Sequence, residues 1–317
     1  MNSIQTFTYS PTGEHGTQHL NHTSLDPVKV AVVTSVRDTG VEDQNGVDVD
    51  VPGLGTRRMM WSVEFLTRAI QEGRLRNVQI AGVITDDDPD NPRDTDLIRW
   101  SWYAFSPYEN GDTAWIFDRS LYNGRWEKLT SLTHNLPSTF RTISSSETKR
   151  KAASKLEFEE GLCQLVRDMG ASILLSDHLM MRLDRILDDD QLGIGKVLNI
   201  HPAVTEQTSP YCCRGKTPTA DALLKARSHI GFLTWATFHI IDRIIDNGPA
   251  VAVWVTTPVL ASMQPHELRY YNYLQGKNPV LLAWLQHYID HITPVIDHIN
   301  FEDPDSYHVT RQHVIST

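Results

Sequence analysis

The chain has 317 residues, 40% of them hydrophobic and 21% charged, enough for one large or two modest domains with a real core. A formal net charge of −10 argues against non-specific nucleic-acid binding, which rests on Lys and Arg against phosphate. Three cysteines, two of them adjacent at Cys212 and Cys213, make no disulfide framework. No apolar run reaches the length of a membrane span.

Residues 1–27 are polar and rich in Thr, His, Ser and Asn. They lack the apolar core of a signal peptide and read as a flexible extension of a cytoplasmic protein with reduced thiols. Val28 to Thr34 is a β-rich run, expected as a buried first strand. A polar segment follows, and Gly53-Leu-Gly55-Thr56-Arg57-Arg58 is expected at a helix start, where Thr56, Arg57 and Arg58 would bind the anionic part of a substrate. Met59 to Gln71 carries apolar residues at helical spacing, and Gly73 is its stop. Val78 to Thr85 is a second buried strand, so a strand–helix–strand unit with a right-handed crossover is expected.

Segment 86–148 is long and irregular, with aromatic residues such as Trp100, Trp102 and Trp115. It reads as an insertion, its aromatics forming a local core in preference to a binding wall. Lys151 to Met169 is expected to be a helix with Ala153, Leu156, Leu162, Leu165 and Val166 on its apolar side. Ala171 to Ser176 is then a strand, and the loop beyond it lies where ligands bind in open α/β sheets. Val197 to Ile200 is a short strand ending at His201, and Thr219 to Arg227 a helix. Gly231 to Ile241 and Ala250 to Pro258 read as two strands joined by a turn at Asp246, and His266 to His291 as helix broken near Gly276 and Pro279. No His-Glu-x-x-His or Cys-x-x-Cys motif points to a metal.

Chemistry enters at Asn199-Ile-His201-Pro202, read with Thr237-Phe-His239 and Asp246-Asn-Gly248-Pro249. On a strand, residues two apart point to one side, so the Asn199 amide and the His201 imidazole reach the same group. Taken singly, Asn199 is more simply a turn cap and His201 a structural histidine. Together with Asp246, Gly248 and Pro249 they make a set that stabilises an oxyanion and moves a proton.

These residues resemble the Asn-x-His, Thr-x-His and Asp-x-Gly-Pro elements of the folate-dependent formyltransferases, a family that includes glycinamide ribonucleotide, methionyl-tRNA and sugar-amine formyltransferases and formyltetrahydrofolate hydrolases. Pro210, Arg214-Gly215 and Pro218 fit the same pattern, and the likeness covers roughly residues 150–260. It implies an α/β fold, a mostly parallel twisted sheet flanked by helices (Rossmann-like), with elaborated loops. The catalytic domain would span 28–300, with insertions near 37–56 and 86–148 and a tail at 301–317. Asn199, His201 and Asp246 would be catalytic. Asp246 would hold His201 in its charged form and help move the acceptor's proton. His239 would be a supporting residue. The resemblance implies 10-formyltetrahydrofolate as co-substrate, with no metal. Met181, Arg182, Leu183, Asp184 and Asp242 would line the folate pocket.

The sequence departs from the family in its longer run Ala203 to Ser209 and in lacking a Gly-rich loop directly after the first strand. The expected activity is N-formyl transfer to a small-molecule amine or hydroxylamine, with the N5-hydroxyornithine of siderophore biosynthesis as one candidate. No nucleic-acid or membrane partner is expected. Three alternatives stay open: a sugar-nucleotide or glycinamide ribonucleotide acceptor, a 10-formyltetrahydrofolate hydrolase, and a non-catalytic folate-binding relative. The hydrolases usually carry an amino-terminal regulatory domain, which a 27-residue extension is too short to form.

Overall fold

A β-branched run with no charge after Lys29 is what a strand buried on both faces requires. In a computed structural model of the chain, Val28–Thr34 forms such a strand, β1. Residues 27–35, 48–53, 55–58, 62–88, 90–92, 94, 132–179, 181–189, 197–215, 217–248, 250–253 and 257–291 are described. The expectations for the amino-terminal extension, the aromatic segment with Trp100, Trp102 and Trp115, and the carboxy-terminal tail fall outside them. Val30 and Val32 join one hydrophobic cluster, while Ala31 and Val33 join another on the opposite face.

After β1 come β2 (Asp48–Val51) and β3 (Gly55–Arg58), an antiparallel hairpin. Gly53 and Gly55 hold positive φ of 76° and 70°, which glycine adopts without a Cβ penalty. The sequence expectation for 53–58 is corrected here. Gly55, Thr56, Arg57 and Arg58 are strand residues, and helix α1 (Ser62–Gln71) begins only four residues after β3. Alternating pairing across a tight turn accounts for the segment better than a helix end. Strand β4 (Val78–Thr85) follows α1, then β5 (Thr133–Asn135).

Helix α2 (Thr148–Asp168) buries Phe158, Glu159, Leu162, Cys163 and Val166. Leu156 is 49% exposed and Ala153 is also exposed, contrary to the expected apolar side. At about 100° per residue both fall off the 158–162–166 row that meets the sheet. Strand β6 (Ile173–Asp177), strand β7 (Val197–His201) and helix α3 (Pro218–Ser228) follow. The region read as two long strands is four short ones: β8 (Leu233–Thr234), β9 (Thr237–Ile240), β10 (Ala250–Val253) and β11 (Thr257–Pro258). Helix α4 (Pro265–Tyr270), a π-helical turn at Tyr271–Lys277 and helix α5 (Asn278–His291) close the described fold. The expected break at Gly276 and Pro279 is thus where the π turn gives way to α5.

Seven strands form one sheet in the order β10-β9-β7-β6-β1-β4-β5. The ladders among β5, β4, β1, β6 and β7 are parallel, and β9 and β10 join antiparallel. Helices α1 and α5 cover one face through Val63, Leu66, Val280, Leu281 and Trp284, and α2 covers the other. This is the three-layer α/β architecture expected. The chain moves outward from β1 to β4 on one side and returns to β6 on the other. The carboxyl ends of β1 and β6 therefore flank the point where strand order reverses, which in open α/β sheets is where ligands bind.

Candidate active site

Strand β7 pairs antiparallel with β9, setting Asn199 opposite His239 and His201 opposite Thr237. Asn199 Nδ2 lies 3.1 Å from His239 Nε2. His239 Nδ1 lies 2.9 Å from the Ile240 carbonyl, so Nδ1 is the donor and Nε2 accepts from the amide. Burial is the largest influence on His239 and pushes its pKa down to about 4, with the Ile240 carbonyl and the Asp246 carboxylate pulling the other way. A neutral His239 thereby fixes which way the Asn199 amide points and leaves the second amide N–H for a ligand. Thr237 donates its hydroxyl to the Ala203 carbonyl at 2.8 Å, tying the end of β9 to the chain just beyond β7.

The turn after β9 brings Asp246 to the same place. Asp246 has φ 53°, a left-handed conformation that Asp tolerates better than most side chains. Its Oδ1 is 3.5 Å from His201 Nδ1 and 3.8 Å from His239 Nε2, and its Oδ2 accepts the Gly215 N–H at 2.9 Å. The other ring nitrogen of His201, Nε2, lies 2.8 Å from the Cys213 carbonyl. Asp242 accepts from the Ile244 N–H and the Asn247 amide, and Arg214 clamps the turn by donating to the Asn247 side chain and the Thr205 carbonyl. A Cβ at Gly248 would sit 1.8 Å from the Ile240 carbonyl oxygen, so only glycine lets the turn fold back on β9. The long run 203–209 and the Arg214-Gly215 pair thus pack against the Asp246 turn.

Asn199, His201, His239 and Asp246 all line one cleft. Of the residues expected to bind folate, Met181, Arg182 and Asp242 line it too, together with Leu179 and Ile241. Leu183 does not: it is fully buried in the hydrophobic cluster under α2. Asp184 is held by Lys155 at 3.0 Å and Arg182 at 2.7 Å, and is not among the described lining residues. Thr56 is exposed, bonds Asp50 at 2.7 Å and is likewise absent from the described lining. The side chains of Arg57 and Arg58 fall outside the described part.

The cleft also contains residues that sequence spacing does not single out, His178 and Lys277. Lys277 is buried at the end of the π turn and forms an ion pair with the buried Asp177, whose carboxylate also accepts the Ser62 N–H at the start of α1. His178, at φ 60°, places Nε2 3.3 Å from the Lys277 ammonium. Burial would raise the pKa of Asp177, but the neighbouring Lys277 and His178 hold it at about 2. Asp177 and His178 at a strand's carboxyl end were a usable signal. A lone Lys277 in a helical stretch was not.

The fold is an open, mostly parallel α/β sheet with this cleft at the carboxyl ends of its strands. No family model matches the chain, and a comparison with curated proteins finds no match. Solved structures do match. The chain is similar to PvdF of pyoverdin biosynthesis, an N10-formyltetrahydrofolate-dependent formyltransferase, at 26% identity and TM-score 0.66, over 83% of this chain and 99% of that one. Glycinamide ribonucleotide transformylase 1 from Symbiobacterium toebii matches at 13% identity and TM-score 0.52, over 87% of this chain and 94% of that one. A formyltetrahydrofolate deformylase from Pseudomonas syringae pv. tomato matches at 14% identity and TM-score 0.50, over 84% of this chain and 62% of that one. The last two share the fold. The chain is thus similar in structure to folate-dependent formyltransferases.

Proposed function

We propose that the protein is an N-formyltransferase that moves a formyl group from 10-formyltetrahydrofolate to the nitrogen of a small amine or hydroxylamine, with N5-hydroxyornithine the leading candidate. The observation that carries this reading is the convergence of Asn199, His201 and Asp246 on one wall of a single cleft. Likeness to PvdF, of pyoverdin biosynthesis, favours a siderophore-type acceptor over a purine or sugar precursor.

In this mechanism the acceptor nitrogen attacks the formyl carbon and a new C–N bond forms. The formyl oxygen becomes an oxyanion, and the free N–H of Asn199 donates to it. His201 also donates, trading its contact with the Cys213 carbonyl for one with the oxyanion. Asp246 takes the proton that the acceptor nitrogen sheds. As the intermediate collapses, the bond to folate N10 breaks, and the proton returns to N10 directly or through water. His239 touches neither reactant. It is a positioning residue that orients the Asn199 amide. The apolar Leu179, Met181 and Ile241, with the polar Asp242, fit one face of a pterin and its hydrogen-bonding edge.

The test is to incubate the protein with 10-formyltetrahydrofolate and a panel containing N5-hydroxyornithine, glycinamide ribonucleotide and dTDP-amino sugars, following tetrahydrofolate release and the formylated product. Formyl hydroxyornithine as the preferred product supports the reading. Tetrahydrofolate release that is independent of any amine makes the protein a hydrolase. Folate binding without turnover makes it a binding protein.

A further inference from the structure

The buried Asp177–Lys277 pair takes no part in the mechanism above, yet Lys277 and His178 line the same cleft as the formyl centre. Burying an ion pair brings little stability of its own, because desolvation offsets the attraction. Its surroundings point to a ligand. Thr34 is the register partner of Asp177 across the β1–β6 ladder, so both side chains leave the same face of the sheet. Its hydroxyl is buried with no hydrogen-bond partner among the described residues. The same holds for the hydroxyl of Ser62, whose backbone N–H reaches Asp177. Asn278, next to Lys277 and fully buried, leaves both amide atoms unpartnered among the described residues. Buried polar groups are almost always paired, so this set of orphans marks a place built to be completed by something else. It lies at the carboxyl ends of β1 and β6, the reversal point of the sheet.

The charges decide what completes it. A phosphate would ordinarily suit the start of α1, but the Asp177 carboxylate already lies there and would repel it. A lone cation would meet Lys277. A group with both charges lies antiparallel to the Asp177–Lys277 pair, with each charge opposite its complement and no net charge buried.

We infer that His178 and Lys277, which line the cleft, with Thr34, Ser62 and Asp177 buried behind them and outside its described lining, form the acceptor's head-group subsite, and that it takes the zwitterionic α-amino and α-carboxylate groups of an amino acid whose side-chain nitrogen extends to the formyl centre. Asp177 receives the ammonium. Lys277 and the hydroxyls of Thr34 and Ser62 receive the carboxylate. This inference rests on the formyltransferase reading and makes it more specific: the acceptor is a free amino acid, unblocked at its α-carbon.

The experiment measures kcat/KM of the full chain for N5-hydroxyornithine, its decarboxylated analogue N-hydroxy-1,4-diaminobutane, and its Nα-acetyl derivative. Each analogue loses one charge of the head group and is expected to fall by roughly 100-fold or more, since a site built around polar groups rejects a ligand that leaves them unpaired. Thr34→Val and Ser62→Ala are expected to raise KM for the parent acceptor roughly 10-fold each and to narrow the gap to the decarboxylated analogue. Donor affinity should stay unchanged, which a general structural defect would not allow. Equal rates for the three acceptors overturn the subsite while leaving formyl transfer intact, and so does a preference for glycinamide ribonucleotide. Formylation of no amine overturns both readings together.

Discussion

Asp246 holds φ 53°, a conformation that Asn accepts as readily as Asp. Replacing Asp246 by Asn therefore changes the chemistry without straining the turn, and transfer should fall by roughly 10²–10⁴-fold with donor affinity retained. Rapid-quench measurement of product formation checks this, and near-native rates would remove Asp246 from the mechanism. His239 makes a different demand. Its folded pKa, about 4, lies below its unfolded value, so between pH 6.5 and 4 the unfolded chain binds more protons and stability drops as pH falls through that window. The loss amounts to at most about 3 kcal/mol. Urea unfolding at pH 7 and pH 5 should show it, and His239→Gln should flatten the difference. That Asn199, His201 and Asp246 would share one cleft was legible in sequence, because the roles proposed for them lie in residue type and spacing. Lys277 was not, since its significance comes only from being carried next to Asp177, 100 residues away along the chain.

At the scale of elements, the strand–helix–strand start and β6, β7 and α2 follow from hydrophobic period and were readable. The β2–β3 hairpin was not, because four-residue strands leave too short a pattern. The segment Gly231 to Ile241 read as one strand, but Trp235 and Ala236 interrupt it, and β9 joins the main sheet while β8 pairs with β11. The Asp246 turn depends on its contact with β9. Gly248→Ala would drive a methyl group into the Ile240 carbonyl and should cost about 1–3 kcal/mol or more. It should also displace Asp246 from His201, so that the melting temperature and the transfer rate fall together. A variant that melts as the parent does would show that the turn relaxes freely. The Lys277–Asp177 pair joins the π turn to β6, and Lys277→Met should destabilise by about 3–5 kcal/mol by leaving a buried carboxylate unpaired. Pairing it with Asp177→Asn should recover stability while leaving the acceptor defect in place.

For the molecule as a whole, the sheet sets the reacting atoms apart from the recognition of the acceptor. The proposed formyl chemistry sits on β7, β9 and the turn that follows, whereas the proposed head-group subsite lies across β6 and β1. The first was written in a motif. The second arises only when strands distant in sequence become neighbours. The same topology bears on how the protein is made. β1 pairs with β4 on one side, but its other edge waits for Ile173–Asp177. At ordinary synthesis rates, roughly ten seconds or more pass before that segment leaves the ribosome. Through that interval the emerging chain presents an open, valine-rich strand edge, a template for pairing with other nascent chains. Yield should therefore depend on chaperone supply and on slow translation temperature far more than the stability of the finished fold would suggest.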